Sequence, residues 1–161
     1  MTVILAIDPG DKVSSYAVID GDCQPVEVGE RSNFDLVDRL RSREYPSSGL
    51  DRIVCEMVES YGMPVGREIF ETVLWTGRFV EAALPVDVEL VGRRHVKLHL
   101  CQSSRAKDSN IIQALVDRFA PGEPNRGKGT KAAPGWFRGF AGGMWQAYAL
   151  GVYAAETGSA V

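Results

Sequence analysis

The feature that most constrains this chain is an acidic residue at the end of a short apolar run near its N-terminus. Residues 2–8 read TVILAID, and such a β-branched apolar run predicts a buried strand. Asp8 ends the run before Pro9 and Gly10, which suit the two central positions of a type II turn. A carboxylate beside a buried strand is costly to desolvate unless it is paired, hydrogen-bonded or bound to a metal. Asp8 is therefore either a simple turn residue or a ligand.

The first third of the chain continues with strand patterns. Residues 13–20 and 24–32 alternate apolar and polar side chains, which predicts two further strands in hairpin order. Asn33 is a candidate N-cap for a helix that runs through Arg43 and is followed by a Pro-Ser-Ser-Gly loop at 46–49.

The remainder alternates strands and helices. Residues 51–58 are apolar on both faces, which is typical of a central strand covered by helices on both sides. Residues 65–84 form the strongest helical pattern, and Pro85 ends it. The predicted apolar stripe of that helix comprises Val65, Ile69, Val73, Val80 and Leu84. A strand at 86–92 and helices at 93–100, 105–119 and 142–156 follow. This order predicts an α/β domain with a mixed five-stranded sheet flanked by helices, and 161 residues are the size of one domain.

Two further acids stand out against this pattern. Glu56 is the one charge in the apolar run that ends near Met57, so either it pairs with a cation such as Arg78 or it faces Asp8 from a neighbouring strand. Two like charges so close would conflict without a divalent cation, and hard oxygen ligands select Mg²⁺ or Mn²⁺. Asp108 lies near the start of a helix at a spacing that turns it toward the core, so it is a third candidate ligand or a simple N-terminal helix acid.

The distribution of positive charge bears on the ligand class. The net charge of −3 gives no global attraction to nucleic acid, but the cations are concentrated locally. The clusters are Arg93, Arg94 and Lys97; Arg105 and Lys107; and Lys128 and Lys131 within an acid-free stretch from 126 to 138. The stretch 120–139 is too long for an idle connection, so it is a candidate DNA-contacting arm. The alternative for each cluster is ordinary solvated surface charge.

Composition excludes several classes of protein. The apolar share of 45% and charged share of 24% match a globular chain, and no apolar run reaches the ~18 residues that a membrane helix needs. Three cysteines without a CxxC spacing indicate neither a disulfide framework nor a zinc ribbon. We therefore expect reduced thiols, no membrane partner and a cytoplasmic location.

Several segments together resemble a known family. The opening ILAIDPGDKVSSYAVID is similar to that of RuvC-type Holliday junction resolvases, with Ser15 where a glycine is usual. The segments VCEMVESYGMPVGREIFETVLWTGRF and RRHVKLHLCQSSRAKDSNIIQALVDRF, and the tail from GTKAAPGWFRGF to WQAYALGVY, resemble the phage-encoded branch of that RNase H-like superfamily. The resemblance covers nearly the whole chain. It implies an RNase H-like fold, a homodimer, and cleavage of branched DNA by a two-metal mechanism.

The resemblance also carries the family's site to particular residues. Asp8 matches the family's first-strand aspartate, and Glu56 matches the glutamate of its fourth strand. The segment RAKDSNI falls where the family places basic and acidic residues at the start of a helix. This implies that Lys107 contacts a phosphate and that Asp108 is a metal ligand.

The last helix departs from the family pattern. Gly143 stands where the family has an aspartate or a histidine, and Gln146 aligns with the following family acid. Two-metal hydrolysis needs enough ligands for both ions. Three possibilities therefore stay open: the chain is inactivated, Asp108 supplies the second site, or the protein binds junctions without cutting them efficiently.

We therefore expect a Mg²⁺-dependent endodeoxyribonuclease of the crossover junction type, in which Mn²⁺ substitutes for Mg²⁺. Its expected catalytic and metal-binding residues are Asp8, Glu56 and Asp108, and its expected DNA-binding residues are Arg105, Lys107, Lys128 and Lys131. The helix at 65–84 is the expected dimer element. Tyr61, Trp136 and Phe137 either stack on unpaired bases or pack in the interior.

The sequence leaves two rival functions open. One is a junction-binding protein with weak or no cleavage, which Gly143 favours. The other is an actin-like phosphotransferase, whose first phosphate loop also begins with a strand, an aspartate and glycines. That fold needs two such domains, which is far more than 161 residues.

Overall fold

A computed structural model of the chain describes residues 2–44 and 49–158. Most of the loop expected at 46–49 therefore lies outside the described residues. The strands are β1 Val3–Asp8, β2 Val13–Asp20, β3 Pro25–Ser32, β4 Arg52–Met57 and β5 Val88–Gly92. The α-helices are α1 Asn33–Ser42, α2 Arg67–Ala83, α3 Arg93–Cys101, α4 Asp108–Phe119 and α5 Met144–Thr157, and a short 3-10 helix spans Asn125–Gly127.

The strands form one mixed sheet in the order β3-β2-β1-β4-β5. β1, β2 and β3 are antiparallel neighbours, whereas β4 runs parallel to both β1 and β5. The predicted mixed five-stranded sheet flanked by helices is confirmed. So is the expectation that the strands of Asp8 and Glu56 are neighbours, since Ile7 pairs with Cys55 one position before them.

Helices cover the sheet on both faces because successive strand residues point to opposite sides. Leu5, Ile7 and Ile53 face α1 and α2, where they pack with Leu36, Phe79 and others. On the opposite face, a second core holds Ala6, Val54, Ile111 and Trp145. The buried residues of α5 lie on nearly all of its sides, because this helix lies between the sheet and α3 and α4.

The turn after Asp8 differs in detail from the prediction. Gly10 is not in the left-handed region, so the turn is not type II. Glycine is required there because a Cβ would lie 2.2 Å from the Val13 carbonyl oxygen. Asn33 supports the turn from the side: its Oδ1 accepts from Ser14 Oγ at 2.6 Å and its Nδ2 donates to the Gly10 carbonyl at 2.9 Å.

The N-cap of α1 is therefore Ser32 and not Asn33. The Ser32 hydroxyl accepts a hydrogen bond from the Asp35 backbone N–H at 3.2 Å, which satisfies one free donor of the first turn. The prediction was wrong by one residue because both side chains are common caps, and only the tertiary contacts of Asn33 show that it is used elsewhere.

The predicted apolar stripe of α2 was also wrong. Val73 and Leu84 are exposed, and the buried face instead carries Thr72, Trp75, Thr76, Phe79, Ala82 and Ala83. Phe70 and Leu74 are 66% and 63% exposed. The helix thus has a second apolar face that the described chain leaves uncovered, and the period of the pattern alone did not show which face packs on the sheet.

The long stretch 120–139 is more ordered than its composition indicates. Phe137 is fully buried, and the ring of Trp136 stacks on Phe119 with a centroid distance of 5.2 Å. The Trp136 indole N–H also donates to the Tyr148 hydroxyl at 3.0 Å. Trp136 and Phe137 therefore pack in the interior, and of the three aromatic residues considered for base stacking only Tyr61 is exposed.

The cysteines and the helices bear on two compositional expectations. Cys23, Cys55 and Cys101 are all free, and burial raises the pKa of the Cys55 thiol, which suits a packing residue and not a nucleophile. In the described ranges, no helix is long and apolar enough to cross a membrane.

Candidate functional site

Asp8 and Glu56 meet at one edge of the sheet. Both lie at the carboxyl ends of adjacent parallel strands, β1 and β4, and alternation places them on the face that packs against α5. Glu56 acts directly on the ionisation of Asp8, and the Glu56 side chain is only 15% exposed. The structure therefore brings together the two acids that the sequence singled out.

This contact changes the acidity of Asp8. Burial has the largest effect, followed by the hydrogen bond and the charge of Glu56, and together they raise the pKa of Asp8 to about 8. The charge of Arg93 opposes the rise. The charged form of Asp8 is disfavoured here, because its ionisation places a negative charge beside the Glu56 carboxyl group in a desolvated place. A divalent cation in place of the proton would remove the conflict.

Asp108 is arranged differently from the other two acids. Its side chain is 68% exposed, so the expectation of a core-facing carboxylate was wrong. The Asp108 carboxylate accepts a hydrogen bond from the guanidinium of Arg93. The same guanidinium donates to the Gln146 side-chain oxygen at 2.9 Å and lies 3.8 Å from Glu56 Oε1. Arg93 thus sits at the centre of a set of oxygen atoms from β4, α4 and α5.

The donor set fits one hard cation better than two. Asp8 and Glu56 offer oxygen ligands that carry an unfavourable shared charge, which is the situation that Mg²⁺ or Mn²⁺ relieves. In the part of the chain that the structure describes, no group of three or more acids, histidines or cysteines is placed to hold a metal. Asp108 is held by Arg93, and Gln146 is neutral, so a second ion has no carboxylates of its own.

Gly143 closes the site from the start of α5. A Cβ at this position would lie 3.1 Å from Asp8 Oδ2 and 2.6 Å from Ser15 Oγ. Position 143 therefore faces Asp8 directly, as the resemblance implies for a ligand. Ser15 pairs with Asp8 across β1 and β2, and its hydroxyl fills the space that a side chain at 143 would need.

A cationic groove of about 710 Å³ adjoins these residues. Its described lining consists of Tyr61, Met63, Arg93, Arg94, Lys97, Ser104 and Arg105. Four of these side chains are positive and none is acidic, although the chain as a whole is acidic. Arg93 belongs both to the groove and to the acid cluster, so the two are continuous.

The predicted DNA-binding residues divide into two groups. Arg105 lines the groove, whereas Lys107, Lys128 and Lys131 are not part of its lining. Lys107 precedes α4, where its backbone N–H donates to Asn110 Oδ1 at 2.8 Å. The involvement of these three lysines in DNA binding stays a prediction.

Sequence reasoning missed the role of Arg93. It was noted only as one member of a basic cluster, yet it directly follows β5, which runs parallel to β4. Because the carboxyl ends of parallel neighbours meet at one edge of a sheet, the signal was available: the residue after β5 had to lie near Glu56.

The fold is similar to that of known solved structures. No protein-family model matches the chain, and no curated protein matches it. Among solved structures, one of Thermus thermophilus RuvC is 17% identical, with 97% of this chain and 96% of that chain covered and a TM-score of 0.67. Another, T. thermophilus RuvC in complex with a Holliday junction substrate, is 17% identical, with coverage of 96% and 93% and a TM-score of 0.69. The chain therefore has the RNase H-like fold that its sequence predicted.

Proposed function

We propose that this chain is a Mg²⁺-dependent endodeoxyribonuclease that resolves Holliday junctions and other branched DNA by phosphodiester hydrolysis. The observation that carries the proposal is the Asp8–Glu56 pair at the end of a groove with four cations. The fold supports it, since one of the similar structures is RuvC with a Holliday junction substrate. We further propose a single nuclease domain of the phage-encoded branch, working in the cytoplasm of a bacterial cell or a phage-infected host.

In this mechanism Asp8 and Glu56 would hold the metal ion. When bound, Mg²⁺ or Mn²⁺ would supply Lewis-acid chemistry at a phosphate oxygen. Because the pKa of Asp8 is raised and the ligand binds as a carboxylate, metal affinity is expected to rise with pH. Hydrolysis leaves a 3′-hydroxyl and a 5′-phosphate, and the buried floor made by β1, β4 and α5 keeps the two carboxylates fixed while the strand is cut.

The groove binds the DNA backbone. Arg94, Lys97 and Arg105 line it, and the described residues of this lining include no acid, so these cations are placed to neutralise phosphates. Four groove cations predict a log–log salt slope of binding of about −3 to −4 per chain. Tyr61 is 60% exposed on the same lining, where its ring is placed to stack on an unpaired base.

We also propose that the protein is a homodimer through the exposed face of α2. Phe70, Val73 and Leu74 on this helix are exposed, as is Phe34 beside it, and an apolar patch of this kind marks an interface. A two-fold dimer presents two active sites, which suits the pseudo-symmetry of a four-way junction. Leu74→Glu should convert the dimer to a monomer by sedimentation, and unchanged sedimentation would move the interface elsewhere.

The deciding experiment is cleavage of a panel of synthetic four-way junctions, forks and flaps with Mg²⁺ or Mn²⁺. We expect nicks in the four-way junction, and Asp8→Asn should abolish them while leaving binding in place. A protein that binds the junction and never nicks it would refute the enzyme and support the junction-binding alternative.

That alternative has a specific observation behind it. Gly143 supplies no ligand, and Asp108 is engaged by Arg93. Restoring an acid tests the cause, but Gly143→Asp alone would force its Cβ against Ser15 Oγ. The test therefore needs Ser15→Gly with Gly143→Asp in one chain, compared with each single variant.

A further inference from the structure

We propose that Arg93 takes the place of a second metal ion, so that each site works with one divalent cation and one guanidinium. This inference rests on the proposed nuclease function and gives Arg93 a direct role on the scissile phosphate.

The guanidinium of Arg93 is surrounded by side-chain oxygen atoms, as a bound metal ion would be. It lies 3.8 Å from Glu56 Oε1, donates to the Gln146 side-chain oxygen at 2.9 Å, and donates to Asp108 Oδ1. These oxygens come from β4, α5 and α4, three elements that are far apart in sequence. Arg93 is fixed in their midst because it is the first residue after β5, whose end lies beside Glu56.

The local charges agree with one ion and not two. Gln146 is neutral where the family pattern has an acid, and Gly143 has no side chain. One divalent ion together with Arg93 neutralises the three carboxylates of Asp8, Glu56 and Asp108. A second divalent ion would give the cluster an excess of positive charge and would be repelled by the Arg93 guanidinium.

Arg93 also reaches the DNA. Its side chain is 26% exposed and lines the cationic groove, so a phosphate bound in the groove would be within reach of its remaining donors. A guanidinium does not lose its proton at neutral pH and offers a planar fork of five donors that fits phosphate oxygens.

The step that Arg93 assists is balanced without a further reactant. A bond forms between a water oxygen and phosphorus, and the bond between phosphorus and O3′ breaks. One water proton ends on O3′ and the other leaves to solvent. Arg93 keeps its own proton and donates hydrogen bonds to the negative charge that develops on the phosphate oxygens.

The first test counts metal ions without using activity. Titration of the metal-free full chain with Mn²⁺, followed by electron paramagnetic resonance, should give one bound ion per wild-type chain. Arg93→Gln removes the positive charge beside Glu56 and frees Asp108, so it should bind Mn²⁺ more tightly or take up a second ion. Two ions per wild-type chain, or no change in Arg93→Gln, would overturn the proposal.

The second test separates catalysis from binding. At saturating four-way junction, Arg93→Gln should lower the single-turnover nicking rate by about 100-fold, the size of effect expected from losing one transition-state donor. Arg93→Lys should restore part of the rate, because it keeps the charge but not the fork. Arg41→Gln is the control, since it removes an exposed cation on α1, across the sheet. Equal rates in Arg93→Gln and Arg41→Gln would contradict the proposal.

The two tests also separate this inference from the proposed function. If wild-type protein nicks no branched DNA, the nuclease proposal fails, and the Mn²⁺ count still decides whether Arg93 excludes a second ion. Unfolding of each variant in the absence of metal shows whether a lost signal reflects a lost fold.

Discussion

Two carboxylates lie on opposite faces of the same sheet and have opposite environments. On the α1 face, Glu27 accepts hydrogen bonds from the Tyr16 hydroxyl and from Arg39, the latter at 3.3 Å. Burial alone would raise the pKa of Glu27, but these bonds and the nearby arginines outweigh it and lower the pKa. On the α5 face, the partner of Asp8 is another acid, Glu56, and the pKa of Asp8 is raised.

The difference shows what each acid is for. Glu27 is provided with cations by the chain itself, so its charge is stabilised in the folded protein and contributes to the fold. Asp8 faces Glu56 and is only partly compensated by Arg93, so its charged form is disfavoured in the folded protein. A site that is unfavourable until a cation arrives from outside is typical of a functional centre and not of a structural one.

The largest expected effect concerns nicking of a four-way junction. Asp8→Asn should lower the rate by about 10³-fold or more, because losing the metal removes several kcal/mol of transition-state stabilisation. Glu27→Gln makes the same chemical change on the other face and should nick at close to the wild-type rate. Gel assays of both variants at one Mg²⁺ concentration measure the nicking rates. Similar losses of rate in both variants would contradict the contrast between the two faces of the sheet.

The next effect is stabilisation by the metal. Mn²⁺ at about 100 times its dissociation constant should stabilise the wild-type chain by about 2.7 kcal/mol, which for a domain of this size raises Tm by about 5–10 °C. Asp8→Asn should gain little, whereas Glu27→Gln should gain as much as wild type. Thermal unfolding with Mn²⁺ and with chelator measures it, and equal gains in all three chains would show that the ion binds elsewhere.

Without metal, the order of stability should reverse. The folded-state pKa of Asp8 is raised, so its favourable contribution is complete below the unfolded pKa and is lost as pH rises toward about 8. An asparagine stays neutral and can donate to Glu56. Asp8→Asn should therefore match wild type near pH 4 and exceed it by about 2 kcal/mol near pH 8. Denaturant unfolding across this range checks the trend, which a less stable variant at high pH would contradict.

The smallest effect belongs to Glu27. Its folded-state pKa is lowered, so its contribution is present above the unfolded pKa and is lost as pH falls through the folded value. Glu27→Gln should cost about 1 kcal/mol near neutral pH. This deficit in stability should shrink in acid, so Glu27→Gln gains on wild type as the pH falls. Asp8→Asn should instead lose its advantage over wild type as the pH falls. A pH-independent deficit would mean that packing, and not charge, links Glu27 to Tyr16.

Local sequence patterns predicted most of the fold because each strand and helix carried its own periodicity and turn residues. They also singled out Asp8 and Glu56, since a charge inside an apolar run is visible without a structure. The errors arose where tertiary contacts decide. The buried face of α2 depends on what its residues pack against, and the orientation of Asp108 depends on Arg93, which lies on a different helix.

The contact between Ser15 and position 143 has a consequence for how the chain can change over generations. A glycine at 143 tolerates the hydroxyl of Ser15, but an acid at 143 meets that hydroxyl at once. An acid that arises at 143 by a single mutation therefore requires the Ser15 hydroxyl to move. Substitutions at 15 and 143 are thus coupled, and the effect of each depends on the residue present at the other position.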